Sequence, residues 1–169
     1  LVATLSLDTI PNAVFSILFF LAELFVHLRI ALGNLSLLRL TNRSAEADES
    51  ARTVRARECL PSVDVFLPTY SEPVEMLERS IIGCQAMNYP DKTIWLLDDQ
   101  RRPAMRELAD RLGCRYLDRP DNAHAKAGNL NHAWQFATGD LVLCFDADFI
   151  PTRDFLERTV GFFRDPKVA

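Results

Sequence analysis

After Pro61 the sequence repeats one pattern four times: a short apolar run that stops at a polar cluster, followed by a helix-length segment. Nothing else in the chain restricts the fold as strongly. Residues 63–67, 93–97, 115–117 and 141–145 read as strands, and residues 74–87, 103–112, 126–137 and 152–163 as helices. Pro103 opens one helix where its missing N–H costs little. Gly139 is expected to close another, and Thr152 to cap the last. Strands separated by helices need crossover connections, so the fold class is α/β with a wound, mainly parallel sheet. Ligands bind such sheets beyond the carboxyl ends of the strands, where every polar cluster of this sequence stands.

The 169 residues divide into three stretches, 1–40, 41–60 and 61–169. Much of the 49% apolar content sits in the first. Residues 10–22 carry no charge, and a helix over about 12–38 is long enough for the roughly 20 residues that a bilayer requires. Ser16, Glu23, His27 and Asn34 would form one polar stripe on it, which implies neighbouring helices from further parts of the parent chain. The alternative is an interfacial or buried core helix. A signal peptide fits poorly, because no small-residue cleavage site precedes Arg29. Arg39, Arg43, Arg52, Arg55 and Arg57 follow the span and predict a cytoplasmic C-terminal side. Residues 41–60 read as a polar linker with a short surface helix over 49–57. Leu1 at the start and Lys167-Val168-Ala169 at the end, which read as the opening of another strand, suggest a fragment of a longer protein.

The net charge of −4 argues against bulk binding to nucleic acid. Cys59, Cys84, Cys114 and Cys144 form no C-x-x-C pair and read as buried thiols in a reducing compartment.

Four clusters carry candidate chemistry. Asp146 and Asp148 flank Ala147 at the end of an apolar strand, and two such carboxylates can hold a divalent cation. Solvated strand-end aspartates are the plain alternative. A phosphatase of the haloacid-dehalogenase type, with Asp146 as nucleophile, is a sharper one, although there the motif opens the domain. Asp98-Asp99 can accept hydrogen bonds from a base or a ribose, or can simply turn the chain. In Pro68-Thr69-Tyr70-Ser71-Glu72, Tyr70 can stack on a base and Glu72 can accept from the nucleoside. Finally, Lys126 in the first turn of a helix suits a phosphate, and Gly128 permits a close approach. His124 and His132 read as structural.

In order and spacing, P-T-Y-S-E, L-L-D-D, H-A-K-A-G-N-L-N and F-D-A-D-F-I-P-T-R-D-F-L resemble the inverting family-2 glycosyltransferases, above all the bacterial cellulose synthase catalytic subunits. The resemblance covers nearly all of residues 63–163. It implies a GT-A fold and a UDP-sugar donor, with Mg2+ or Mn2+ on Asp146 and Asp148. Substrate contacts would come from Thr69, Tyr70, Glu72, Asp98, Asp99, Lys126 and Asp146. It also implies a growing polysaccharide as acceptor and a bacterial inner membrane with the catalytic domain on the cytoplasmic side. Further transmembrane helices and an accessory subunit would be its partners. The sequence departs at Gln100, where the family has glycine, and at Ser71, where it often has asparagine. The family's T-E-D base motif and its Q-x-x-R-W acceptor motif are absent, so the catalytic base is expected beyond residue 169. A synthase of curdlan or another β-glucan, and a non-catalytic nucleotide-binding subunit, are the alternatives.

Overall fold

The computed structural model describes residues 5–38, 40–56 and 60–168. Arg39, Arg57 and Cys59, which entered the topology and thiol expectations, lie outside them, as do Leu1 and Ala169. The chain forms two compact units, one ending at Arg43 and the other beginning at Ser44.

The first unit is essentially one helix, α1 (Ile10–Leu37, 28 residues). Thr9 caps it by accepting from the Asn12 N–H, and Pro11 occupies its first turn. By length and composition α1 can cross a bilayer, and none of its residues is buried within the described structure. On the expected polar stripe, His27 and Glu23 lie one turn apart with their side chains 3.8 Å from each other.

The second unit contains α2 (Ser44–Arg55), β1 (Val63–Thr69), α3 (Val74–Gln85), β2 (Lys92–Asp98), α4 (Pro103–Leu112) and β3 (Arg115–Asp118). Then follow α5 (Ala125–Trp134), β4 (Leu141–Cys144), α6 (Phe155–Thr159) and a 3-10 turn over Val160–Arg164. The strands are all parallel, in the order β3-β2-β1-β4. β1 is central and buried throughout. Its period-2 alternation assigns Val63, Val65 and Leu67 to a large core with α3, α4 and α6, while Phe66 faces a smaller cluster with Trp95, Leu97 and Ala133 of α5.

Several boundaries differ from expectation, for physical reasons. Helix α2 starts earlier than expected and buries Ser50, Ala51 and Val54. Ser50 donates from its hydroxyl to the Glu157 carbonyl (2.8 Å) and accepts from the Gly161 N–H (3.0 Å), fixing α2 to the last helices. Gly139 does not close α5, which ends at Trp134 with Gln135 as its cap. Instead the N–H groups of Thr138 and Gly139 both donate to Asp64 (2.7 Å each), and a Cβ at Gly139 would come within 2.8 Å of the Asp64 nitrogen. The last helix is not continuous from Thr152. It begins at Phe155 and tightens into the 3-10 turn after Thr159. Of the described cysteines Cys84 is buried, and burial pushes its thiol up to about 12. Cys114 is half-buried, its thiol pushed up to about 11, and Cys144 is exposed.

Candidate functional site

The strand order reverses between β1 and β4, because β2 and β3 are added on one side of β1 and β4 on the other. Such a switch point opens a crevice at the carboxyl ends of the strands. A cavity of about 360 Å3 lies at the ends of β1 and β2 and the start of α5. Its lining includes Thr69, Tyr70, Glu72, Asp99, Asn122, Lys126 and Asn129. Three of the four sequence clusters therefore meet in one place.

The β1 end is pre-ordered. Glu72 accepts from the Thr69 hydroxyl (2.8 Å) and from the Tyr70 N–H (2.7 Å), which leaves the Tyr70 ring half-exposed at the cavity. Burial alone would raise the Glu72 carboxyl, but these hydrogen bonds and the nearby Arg102 outweigh it and hold the group below its ordinary value.

The acidic pair divides its work. Asp98 is fully buried and does not line the cavity. It accepts from the Arg102 guanidinium (3.1 Å), the Tyr116 hydroxyl (3.1 Å) and the Gln100 N–H (3.2 Å). Arg102 also donates to the Thr69 hydroxyl (2.7 Å) and to the Glu72 carbonyl (2.8 Å), so Asp98 braces the β1 end from behind. Asp99 does line the cavity, and its carboxylate is gripped by Nε and Nη2 of Arg119. The positive φ of this turn falls on Arg101 (56°), one position after Gln100, so the site does not demand the glycine that the sequence lacks.

On α5, Lys126 extends to Asp146, whose carboxylate holds its ammonium above the ordinary lysine value. Asp146 and Asp148 follow the end of β4 and are both exposed, while Ala147 between them and Phe145 before them are buried. Their backbone is fixed: the Phe145 N–H donates to the Phe66 carbonyl (3.1 Å) and the Ser80 hydroxyl to the Ala147 carbonyl (2.6 Å). Among the described residues no three His, Cys, Asp or Glu side chains gather as a complete metal cage. Two carboxylates in the open fit a hard cation that takes its remaining oxygens from a diphosphate, the usual arrangement for Mg2+.

Sequence reasoning missed Arg102, Arg119, Asn122 and Asn129. Asn129 stands inside the H-A-K-A-G-N-L-N stretch and Arg119 and Asn122 just before it, but the groups they bind across the site lie at the end of β2. Asn129 donates to the Leu97 carbonyl (3.0 Å). Its Oδ1 is the one buried side-chain polar atom without a partner among the described residues, an unused acceptor in a residue that lines the cavity. His132 packs edge-on against Phe136 (5.2 Å), which fits the structural reading.

The cellulose synthase 1 catalytic subunit [UDP-forming] of Komagataeibacter xylinus is 37% identical over 169 residues, covering 96% of this chain and 21% of its own. The cellulose synthase catalytic subunit [UDP-forming] of Pseudomonas fluorescens is 46% identical over 112 residues, covering 64% and 15%. The chain thus spans about a fifth or less of the length of these curated relatives. Among solved structures, a mannosyltransferase from Pyrobaculum calidifontis in complex with GDP-Man and Mn2+ superposes with a TM-score of 0.57 at 25% identity. It covers 73% of this chain and 42% of its own, and the shared architecture is the GT-A-like α/β fold. The model of glycosyl transferase family 2 matches residues 64–169, from the first strand through the paired aspartates, and the chain belongs to that family.

Proposed function

We propose that the chain is the front part of a membrane-anchored, processive glycosyltransferase that passes glucose from UDP-glucose to a growing β-glucan with inversion. The observation that carries this reading is the single cavity joining Tyr70, Glu72, Asp99 and Lys126, with Lys126 bridging to Asp146. These groups suit the two ends of a nucleoside diphosphate. Tyr70 offers a ring to the base, while Asp99, Glu72 and the free acceptor of Asn129 take hydrogen bonds from base and ribose. Lys126, at the start of α5, meets the diphosphate together with the helix dipole. A divalent cation, Mg2+ or Mn2+, on Asp146 and Asp148 would add positive charge against the leaving phosphate. Lys126 stabilises the same developing charge in a single displacement. Deprotonating the acceptor hydroxyl falls to a carboxylate beyond residue 169.

Helix α1 serves as one of several spans, with the second unit on the cytoplasmic side. The names of the relatives support UDP as the product, and the mannosyltransferase complex supports a divalent ion. Membership of a transferase family leaves the phosphatase reading without support.

The test supplies membranes containing the full-length protein with radiolabelled UDP-glucose, UDP-galactose, UDP-N-acetylglucosamine and GDP-mannose. The expected result is a cellulase-sensitive polymer from UDP-glucose alone, abolished by EDTA. Incorporation only from another donor would refute the substrate assignment, and a polymer that neither cellulase nor a β-1,3-glucanase digests would refute the β-glucan.

A further inference from the structure

Arg119 follows β3 and is 5% exposed, rare isolation for a guanidinium in so small a unit. One side of its fork holds the Asp99 carboxylate, with Nη2 at 2.9 Å from Oδ2. The other side donates to two backbone carbonyls of the turn that leads into α5, Ala123 (2.6 Å) and Ala125 (3.0 Å). That turn is unusual. His124 and Ala125 have φ of 62° and 48°, a conformation that L residues with a Cβ adopt only when their surroundings compel it. A Cβ on Gly128 would overlap the Ala123 carbonyl oxygen and come within 2.6 Å of Arg119 Nη1. The turn is therefore wrapped around the guanidinium. Two further bonds close the strap: Asn122 donates to the Asp99 carbonyl (2.7 Å) and Arg101 to the Arg119 carbonyl (2.7 Å).

We infer that Arg119 is a positioning residue that holds Asp99 and the Lys126-bearing end of α5 in one register, so that both ends of the nucleotide are met at once. The inference rests on the nucleotide-sugar reading of the cavity and adds to it the device that sets the distance between its two halves. Both Asp99 oxygens are engaged by Arg119, yet a carboxylate has about four lone-pair positions, so acceptor capacity remains for a ligand. A lysine in place of Arg119 would keep the charge but could not grip a carboxylate and two carbonyls from one plane. Asp99 and Lys126 would then move independently.

The test measures KM for UDP-glucose and kcat in membranes with the full-length protein, wild type beside Arg119→Lys and Arg101→Ala. Arg101→Ala cuts the outer ties of an exposed side chain, to the Arg119 carbonyl and to the Asn122 Oδ1 (3.4 Å), and keeps the test open if Arg119→Lys fails to fold. Losing the fork should raise KM about tenfold, the scale of one charged hydrogen-bond pair, and losing the outer ties should raise it about twofold. In a Lys126→Ala background the effect of Arg119→Lys on KM should shrink, because part of it acts through that lysine. A purely structural role would lower the amount of active enzyme, and so the maximal rate, without moving KM. A wild-type KM in every variant that folds overturns the inference. A wild-type protein that uses no UDP-sugar overturns the functional reading instead.

Discussion

Asp64 ties three segments together from outside the cavity, and its removal should be felt throughout the second unit. It is 2% exposed on the central strand. One oxygen accepts from the Trp95 indole N–H (2.8 Å), and the other from the N–H groups of Thr138 and Gly139 (2.7 Å each). One carboxylate thus joins β1, β2 and the entry to β4. Asp64→Asn keeps the shape but leaves one acceptor oxygen for three donors. Whichever way the amide turns, its NH2 faces an N–H, so either the buried Trp95 donor or the two part-buried backbone donors lose their acceptor. Losing a charged hydrogen bond and stranding a donor costs about 2–4 kcal/mol, against a total stability of about 5–15 kcal/mol for a domain. The melting temperature should fall by about 10 °C. Trp95, one of two tryptophans, reports on the site directly, so fluorescence-detected melting of the detergent-solubilised chain is the assay. Asp140→Asn is the control, since Asp140 binds Ser62 at the exposed end of the sheet. It should leave the melt almost unchanged. An Asp64→Asn protein within about 1 kcal/mol of wild type would show that the junction is not held through this carboxylate.

Two further outcomes are expected. Asp148→Asn in the full-length protein should lower Mn2+-dependent transfer by about 10²-fold or more while the fold survives. Unaltered Mn2+-dependent rates would take the paired aspartates out of the mechanism. Carbonate extraction should leave the chain in the membrane pellet through α1, and its release into the supernatant would count against a spanning helix.

The parallel α/β class, the strand ends as the place where the polar clusters gather and the helix α4 were legible in the sequence, because each follows from local periodicity or from a single residue such as Pro103. Lys126 was legible because one helix N-terminus suffices to argue for it. What stayed hidden depends on contacts between distant segments. Nothing near Asp98 in the chain reveals that Arg102 and Tyr116 occupy its carboxylate, or that only Asp99 reaches the cavity. Gly139 looked like a helix terminator because its neighbours are helical. Its constraint is the close approach of Asp64, about half the chain away. The helix α2 looked like a linker because its buried face is small, three residues, and its partners lie at the far end of the sequence.

The central position of β1 also fixes a time order on the ribosome. β1 is the first strand to be made, and β2 can join it about 30 residues later. Its other edge waits for β4, whose residues 141–144 pair with Val63–Phe66. At about 5–20 residues per second, that edge stays open for several seconds in the nascent chain. During that interval its unpaired N–H and C=O groups could recruit a strand from any neighbouring polysome product. Asp64 lies within this stretch, and a lone carboxylate in the middle of an open edge discourages such pairing. The residue that later locks the sheet therefore protects it first, and its carboxylate gains the Thr138 and Gly139 N–H donors only when the correct strand arrives.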